Sequence, residues 1–245
     1  MIAVLADIHG NLPALEAVVA DLQQRKLETV FNLGDHASGP LWPQETLTFL
    51  MQQPWVQIAG NHDRQLVQQP PARHGASDRY AFERLNDAQK IWLAALPATV
   101  QWLADILLCH GTPTHDNRYL LETVAQGRVR PARWDEITQR LADVTTSLIV
   151  CGHTHIPRII QMNDMQLIVN PGSVGLPAYS DTTPEPHVME TGSPHARYAL
   201  LEQRAQGWQV ELIAVPYDYH SAAAQARRNG RLDWEVGLRT GYMQA

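Results

Sequence analysis

The chain has 245 residues, 44% of them apolar and 18% charged, with a formal net charge of −6. That length is enough for one well-buried domain, and the composition excludes a disordered chain. No apolar run is long enough to cross a bilayer, and an acidic balance without a basic stripe argues against duplex nucleic acid as a partner.

Residues 2–6 read as a buried parallel strand, not as a secretory leader, which sets an expectation of cytoplasmic location. Asn11, Pro13 and the apolar series Leu15, Val18, Val19, Leu22 supply an N-cap, a first-turn proline and helical spacing. Residues 29–33 predict a second strand, 43–53 a second helix and 55–59 a third strand. Strand, helix, strand, helix, strand argues a parallel α/β sheet. Residues 68–76 read as a loop, and 77–96 as helix with a break near Asn86. Residues 99–103 and 106–109 predict a hairpin, 133–143 a helix and 147–151 a buried strand. Further hairpins are expected over 158–170 and 197–215, and helices over 219–228 and 232–238. Cys109 and Cys151 lie in apolar runs and are expected to be reduced and buried. The expected organisation is a single domain, 1–245, with a Pro-, Thr- and Ser-rich surface loop inserted at 178–194. That loop is long enough to suggest a role of its own.

Five apolar runs end in polar residues able to bind a cation. They run into Asp7 and His9, into Gly34-Asp35, into Gly60-Asn61-His62-Asp63, into His110-Gly111, and into Gly152-His153-Thr154-His155. In an open α/β sheet, sites form at the carboxyl ends of strands. The five loops would therefore bring two carboxylates, an amide and several imidazoles to one edge. Such a cluster is hard to bury without cations. The donors are nitrogen and oxygen, with no thiolate. They suit ions such as Mn²⁺, Fe²⁺, Zn²⁺, Ni²⁺ and Co²⁺, and donor type does not choose among these. The glycines allow tight turns and close backbone approach. Any one of these motifs alone is as readily a turn or a cap; the ordered set is what is specific. His36, His74, His115, His187, His195 and His220 fall outside it and are expected to be solvated or capping residues.

At these residues the sequence resembles the calcineurin-like metallophosphoesterases, and within them a small bacterial branch described as diadenosine tetraphosphatase- or phosphodiesterase-like. Asp7-Ile8-His9-Gly10-Asn11-Leu12, Gly39-Pro40, Asn170-Pro171-Gly172-Ser173-Val174-Gly175, Tyr198-Ala199-Leu200-Leu201 and Val215-Pro216-Tyr217-Asp218 extend the resemblance over almost the whole chain. It implies an α/β fold of two stacked mixed β-sheets flanked by helices, a four-layer αββα sandwich. It implies one metal on Asp7, His9 and His155, a second on Asn61, His110 and His153, and Asp35 between them. His62 would face the leaving group, and Asp63 would support the loop or His62. The implied activity is hydrolysis of phosphate esters, diesters favoured, at a pair of divalent metal ions, by attack of a metal-bridging hydroxide. The expected partner is a small phosphate ester, nucleotides included. A homo-oligomer is also expected, and no membrane. A phosphomonoesterase or protein phosphatase with the same centre is the alternative, and a non-catalytic scaffold of the same fold a remote one. Leu176 and Ala178 stand where the branch usually has Gln and Arg, and His36-Ala37-Ser38 replaces apolar and aromatic residues. These departures bear on substrate contacts.

Overall fold

The computed structural model describes residues 1–243. Strand β1 (Ile2–Leu5) lies between β2 (Thr29–Asn32), parallel to it, and the antiparallel β13 (Ala196–Arg204). β3 (Val56–Gln57) and β14 (Gly207–Val215) complete the first five-stranded sheet, in the order β14-β13-β1-β2-β3. The second sheet runs β4 (Thr99–Trp102), β5 (Ile106–Cys109), β8 (Leu148–Val150), β10 (Gln166–Asn170), β9 (Arg158–Asn163). β5, β8 and β10 are mutually parallel, with antiparallel strands at both edges. Both sheets are therefore mixed.

Strand side chains alternate between faces, and the core divides accordingly. Val4, Phe31, Ile58, Ala199 and Leu201 of the first sheet pack on Ile106, Leu108, Val150 and Val169 of the second. The opposite face of the first sheet, with Ala3, Leu5, Val30 and Tyr198, packs on α1 (Leu12–Gln24) and α2 (Pro43–Leu50). The outer face of the second sheet, with Leu107, Ile149 and Ile168, packs on Ile137 and Leu141 of α6 (Trp134–Leu141). The order helix, sheet, sheet, helix is the expected αββα sandwich. No helix among the described residues is long and apolar enough to cross a membrane.

Several local features differ from expectation. Asn61–Gln68 is a helix, α3, so Asn61 and His62 sit on its first turn and not in a loop. The helical stretch after it divides into α4 (Ala76–Phe82) and α5 (Asp87–Ala95), with Asn86 Oδ1 capping the second through Gln89 N at 2.9 Å. A hairpin of β6 (Glu122–Ala125) and β7 (Arg128–Pro131) lies in a stretch left unassigned by pattern. Residues 178–194 hold a second hairpin, β11 (Ala178–Asp181) and β12 (His187–Glu190), where a surface loop was expected. β11 packs against α8 (Leu232–Thr240), which itself pairs with α7 (Tyr219–Arg228). His36, His74 and His187 are buried, so of the solvated or capping roles expected at those positions the solvated one does not hold.

Candidate metal centre

The carboxyl ends of β1, β2, β5 and β8 and the first turn of α3 meet at one edge of the sandwich. Asp7 N donates to Gly34 O (3.0 Å), His9 N to Asp35 O (2.9 Å) and Gly152 N to His110 O (2.7 Å), so the loops are tied to one another by backbone. The segment after β10 braces them from behind. Asn170 Nδ2 donates to Gly152 O (2.8 Å), and Ser173 Oγ to Asp7 O (2.7 Å). Asp7, His9, Asp35, Asn61, His110 and His155 are all at most 5% exposed.

The backbone there is strained. Asp7, His9, Asp35, His153 and His155 all have φ between 52° and 69°. Non-glycine residues rarely adopt that region, and each instance costs about 1–3 kcal/mol. Five such residues in one cluster mark a place where side-chain aim outweighs backbone comfort.

The side chains fall into two groups that could each hold an ion: Asp7, His9 and His155, and Asp35, His110 and His153. Asn61 Oδ1 joins the second group, 3.1 Å from His110 Nε2. Asp35 Oδ2 lies 3.3 Å from His110 Nε2 and 3.8 Å from His9 Nε2, so it faces both groups. All seven residues proposed from the sequence as ligands are thus brought together.

The donor chemistry fits a cation pair. A carbonyl oxygen only accepts, so the ring nitrogen beside it must carry the proton. His9 Nδ1–H donates to Ser38 O, His110 Nδ1–H to Leu33 O and His155 Nδ1–H to Leu176 O, each at 2.7 Å. This leaves Nε2 of each ring as the ligating atom, an arrangement common where histidine binds metal. His9 Nε2 and His155 Nε2 face each other at 3.2 Å. Two lone pairs at that distance repel unless a positive charge lies between them. Two nitrogens each ~2.0–2.1 Å from one ion would be about 3 Å apart. A shared proton is disfavoured, because burial and the neighbouring His155 hold His9 down to about 4.

The remaining titrations describe a site organised around its carboxylates. Burial opposes ionisation of Asp7 and Asp35, yet the surrounding imidazoles hold both below the usual carboxylate range. Burial opposes a proton on His110 too, but Asp35 and then Asp7 outweigh it and raise the ring to about 10. That proton and a cation compete for the same lone pair. Burial and His110 lower His153 to about 3.

His62 stands apart from these groups. Its backbone N–H donates to Asp35 Oδ1 (2.9 Å) and its Nδ1–H to Asp78 Oδ1 (2.8 Å), leaving Nε2 unassigned. Burial opposes its charge, but Asp35 and Asp78 together push it up to about 9. Ser38 Oγ fixes the same carboxylate oxygen at 2.6 Å. Asp63 has a different task. Fully buried, it accepts from Gly60 N (2.9 Å), Asp35 N (2.7 Å), His36 N (3.0 Å) and His36 Nδ1–H (2.7 Å). It locks the β2 and β3 loops together, while the partner of His62 is Asp78. The sequence offered no signal for Asp78, since an aspartate in a helix's first turn is commonplace.

Two glycines are required by close approach. A Cβ on Gly34, whose φ is +99°, would lie 2.2 Å from Gly60 N, and one on Gly60 would lie 2.1 Å from Asp35 Oδ1. Gly60→Ala must therefore displace the central carboxylate. It is expected to cost about 1–3 kcal/mol in stability through overpacking, and to lower bound metal. Thermal unfolding beside elemental analysis checks this; a full metal complement would show that the loop accommodates the methyl group.

Two cavities flank the centre. One, about 220 Å³, lies over His9, Asp35, His62 and His155 and is closed by Leu176, Tyr179 and Trp234. The other, about 570 Å³, opens beyond Asn61, His62 and His153 toward Arg118, Tyr119 and Glu122. Asn61, His62, His153 and Asp181 border both.

Residues 1–191 match the family model described as the calcineurin-like phosphoesterase superfamily domain. The chain is 24% identical to the uncharacterized protein MJ0912 of Methanocaldococcus jannaschii over 96% of its length and 95% of that protein's. A metallophosphoesterase from Sphaerobacter thermophilus superposes with a TM-score of 0.76 at 24% identity, covering 98% of each chain. The hypothetical protein PH1004 from Pyrococcus horikoshii OT3 superposes with a TM-score of 0.75 at 19% identity, covering 99% of each. These likenesses support the αββα architecture.

Proposed function

The chain belongs to the calcineurin-like phosphoesterase superfamily, and from that premise we propose that it is a dinuclear-metal phosphodiesterase. The observation that carries the metal assignment is the convergence of two carboxylates with three Nε2 atoms whose rings are already committed through Nδ1 to backbone carbonyls. Asp7, His9 and His155 would hold one divalent cation and Asn61, His110 and His153 the other, with Asp35 shared. Bound there, the pair would supply a water nucleophile at neutral pH and offset charge on the phosphoryl oxygens.

The chain's own groups do the rest. Asp78 and Ser38 fix the His62 ring, so that Nε2 is the nitrogen left to face the reacting phosphorus. As the oxygen of a hydroxide, formed by release of a water proton to solvent, bonds to phosphorus and the bond to the leaving oxygen breaks, His62 Nε2–H passes its proton to that oxygen. Asp63 touches neither water nor ester; it holds the Asp35 and Gly60 amides in place. The paired cavities favour a diester, because a phosphorus at their shared border has room for a substituent on each side. A monoester would fill only one.

Chelation of the purified protein is expected to abolish hydrolysis of bis(p-nitrophenyl) phosphate, and reloading with Mn²⁺, Ni²⁺, Zn²⁺ or Mg²⁺ in parallel to restore it with at least one ion. The diester is expected to exceed p-nitrophenyl phosphate in kcat/KM by about tenfold, equivalent to 1.4 kcal/mol. Equal or faster monoester turnover would overturn the diester preference, and activity surviving exhaustive chelation would overturn the metal assignment.

A further inference from the structure

We propose that Tyr119, held by the hairpin of β11 and β12, is the positioning residue for His153, and that it sets the affinity of one ion of the pair while leaving the other unaffected. This rests on the dinuclear reading and gives the segment 178–194 its part in the centre.

His153 is the exception among the ligand imidazoles. A metal-binding imidazole is ordinarily aimed by a hydrogen bond from its other nitrogen, and the rings of His9, His110 and His155 are each anchored in that way to a backbone carbonyl. Among the described residues, His153 makes its hydrogen bonds through its backbone alone. Its N–H donates to Asp7 Oδ2 (3.1 Å), and its carbonyl accepts from Tyr179 O–H (3.2 Å). The ring itself is held by packing, against His110 at 5.1 Å between centroids and against Tyr119 at 4.9 Å. His110 is fixed by Leu33 O, so Tyr119 is the contact left to decide which way the His153 ring faces.

Tyr119 is built as a rigid prop. Leu120 and Leu121 beside it are buried with Ile137 and Leu141 in the outer core of the second sheet. Its hydroxyl ends in a hydrogen-bond chain whose direction follows from the donors. His187 Nδ1 lies 2.7 Å from Glu185 O, and a carbonyl only accepts, so Nδ1 carries the proton. In the neutral ring Nε2 then accepts, and Tyr119 O–H donates to it at 2.9 Å. A hydroxyl has one proton to give. Tyr119 Oη therefore accepts from Tyr179 O–H at 2.9 Å, and the Tyr179 proton is shared between Tyr119 Oη and His153 O. Tyr179 lies on β11 and His187 on β12, so both strands of the hairpin grip Tyr119.

The effect falls on one ion. Tyr179 also packs on His155, at 4.6 Å between centroids, but His155 Nδ1–H is already committed to Leu176 O, so that ring keeps its aim without Tyr119. The ion on Asp7, His9 and His155 is therefore insulated from the chain, and the ion on Asn61, His110 and His153 depends on it.

The test uses the full chain freed of metal, with Mn²⁺ as the probe. Calorimetric titration of the parent is expected to resolve two ions. In Tyr119→Leu one of them is expected to bind about tenfold more weakly, while the other keeps its parental affinity. EPR gives a second readout: at concentrations that saturate the parent with a coupled pair, the variant should keep the signal of isolated Mn²⁺. Tyr119→Phe, which keeps the ring, and His187→Ala, which lies beyond reach of any ligand, are expected to weaken the same ion by less. In a His153→Ala background Tyr119→Leu should add no further loss, because its effect runs through that ring. Should Tyr119→Leu fail to fold, Tyr119→Phe and His187→Ala carry the test. Equal weakening of both ions, variants that leave the titration unchanged, or a full additional loss in the His153→Ala background would overturn the proposal. If the parent takes only one ion, the dinuclear reading fails instead. NMR of the metal-free protein labelled at histidine then decides on Tyr119: His153 ring signals displaced by His187→Ala sustain the positioning role, and unmoved signals overturn it.

Discussion

Asp35→Asn is expected to lower diester hydrolysis by about 10³-fold or more and to reduce bound metal from two ions toward one. The size of the effect follows from position. Asp35 Oδ2 is the carboxylate oxygen that faces both ligand groups, 3.3 Å from His110 Nε2 and 3.8 Å from His9 Nε2. Charge stabilisation by bound ions is worth several kcal/mol in the transition state, and about 4 kcal/mol corresponds to 10³-fold. Asparagine keeps the shape, so the side chain still fits against Gly60, and Oδ1 can still accept from His62 N. The loss would therefore report charge and not collapse of the loop. Circular dichroism should be unchanged while elemental analysis and turnover both fall. A variant with two ions and near-parental turnover would remove Asp35 from the centre.

The same substitution is expected to lower the stability of the metal-free protein as well. Against burial, Asp35 with Asp7 raises His110 to about 10, and Asp35 with Asp78 raises His62 to about 9. A histidine whose pKa rises on folding contributes stability that is present at neutral pH and lost as pH rises through the folded value, so removing the carboxylate that raises it takes that contribution away.

What the sequence made legible follows from how buried strands look. A strand covered on both faces is a short apolar run, so a carboxylate or imidazole placed just after it stands out, as at Asp7, Asp35, His110 and His153. Asn61 and His62 were legible as residues but not as the start of a helix, because Gly-Asn-His-Asp has the composition of a turn. The two-sheet layering was not legible from pattern alone. The pairing of Ile2 with Leu201 joins the two ends of the chain, and no local periodicity records such a contact. Asp78 escaped for a related reason: its meaning comes from packing α4 against the first turn of α3. The hairpin at 178–190 was hidden by its Pro- and Thr-rich turn, although Tyr179 on it closes the smaller cavity and donates to His153 O at 3.2 Å. His36 looked like a solvated residue until Asp63, distant in sequence, proved to be its buried partner.

His62→Ala is expected to retain both ions, since Nε2 of His62 belongs to neither ligand group, and to lose about 10²–10⁴-fold of activity toward an ester with an alkoxide leaving group. The loss should shrink for a p-nitrophenyl ester, whose leaving oxygen needs little help from an acid. Asp78→Asn tests the same assignment through pH. A general acid works only while protonated, so activity is present below the His62 pKa and falls as pH rises through it. Asp35 and Asp78 raise that pKa to about 9 against burial; bound cations, being like charges, would bring it down. Asparagine at position 78 removes one of the two raising charges, so the alkaline limb of kcat should move to lower pH while the metal content stays at the parental value. The sign matters: a base at this position would give an acidic limb, and Asp78→Asn would extend activity downward in pH instead. A merely structural role for Asp78 would lower kcat at every pH without moving either limb. An unmoved alkaline limb in Asp78→Asn, together with equal losses in His62→Ala for aryl and alkyl esters, would end the assignment of His62 as the proton donor.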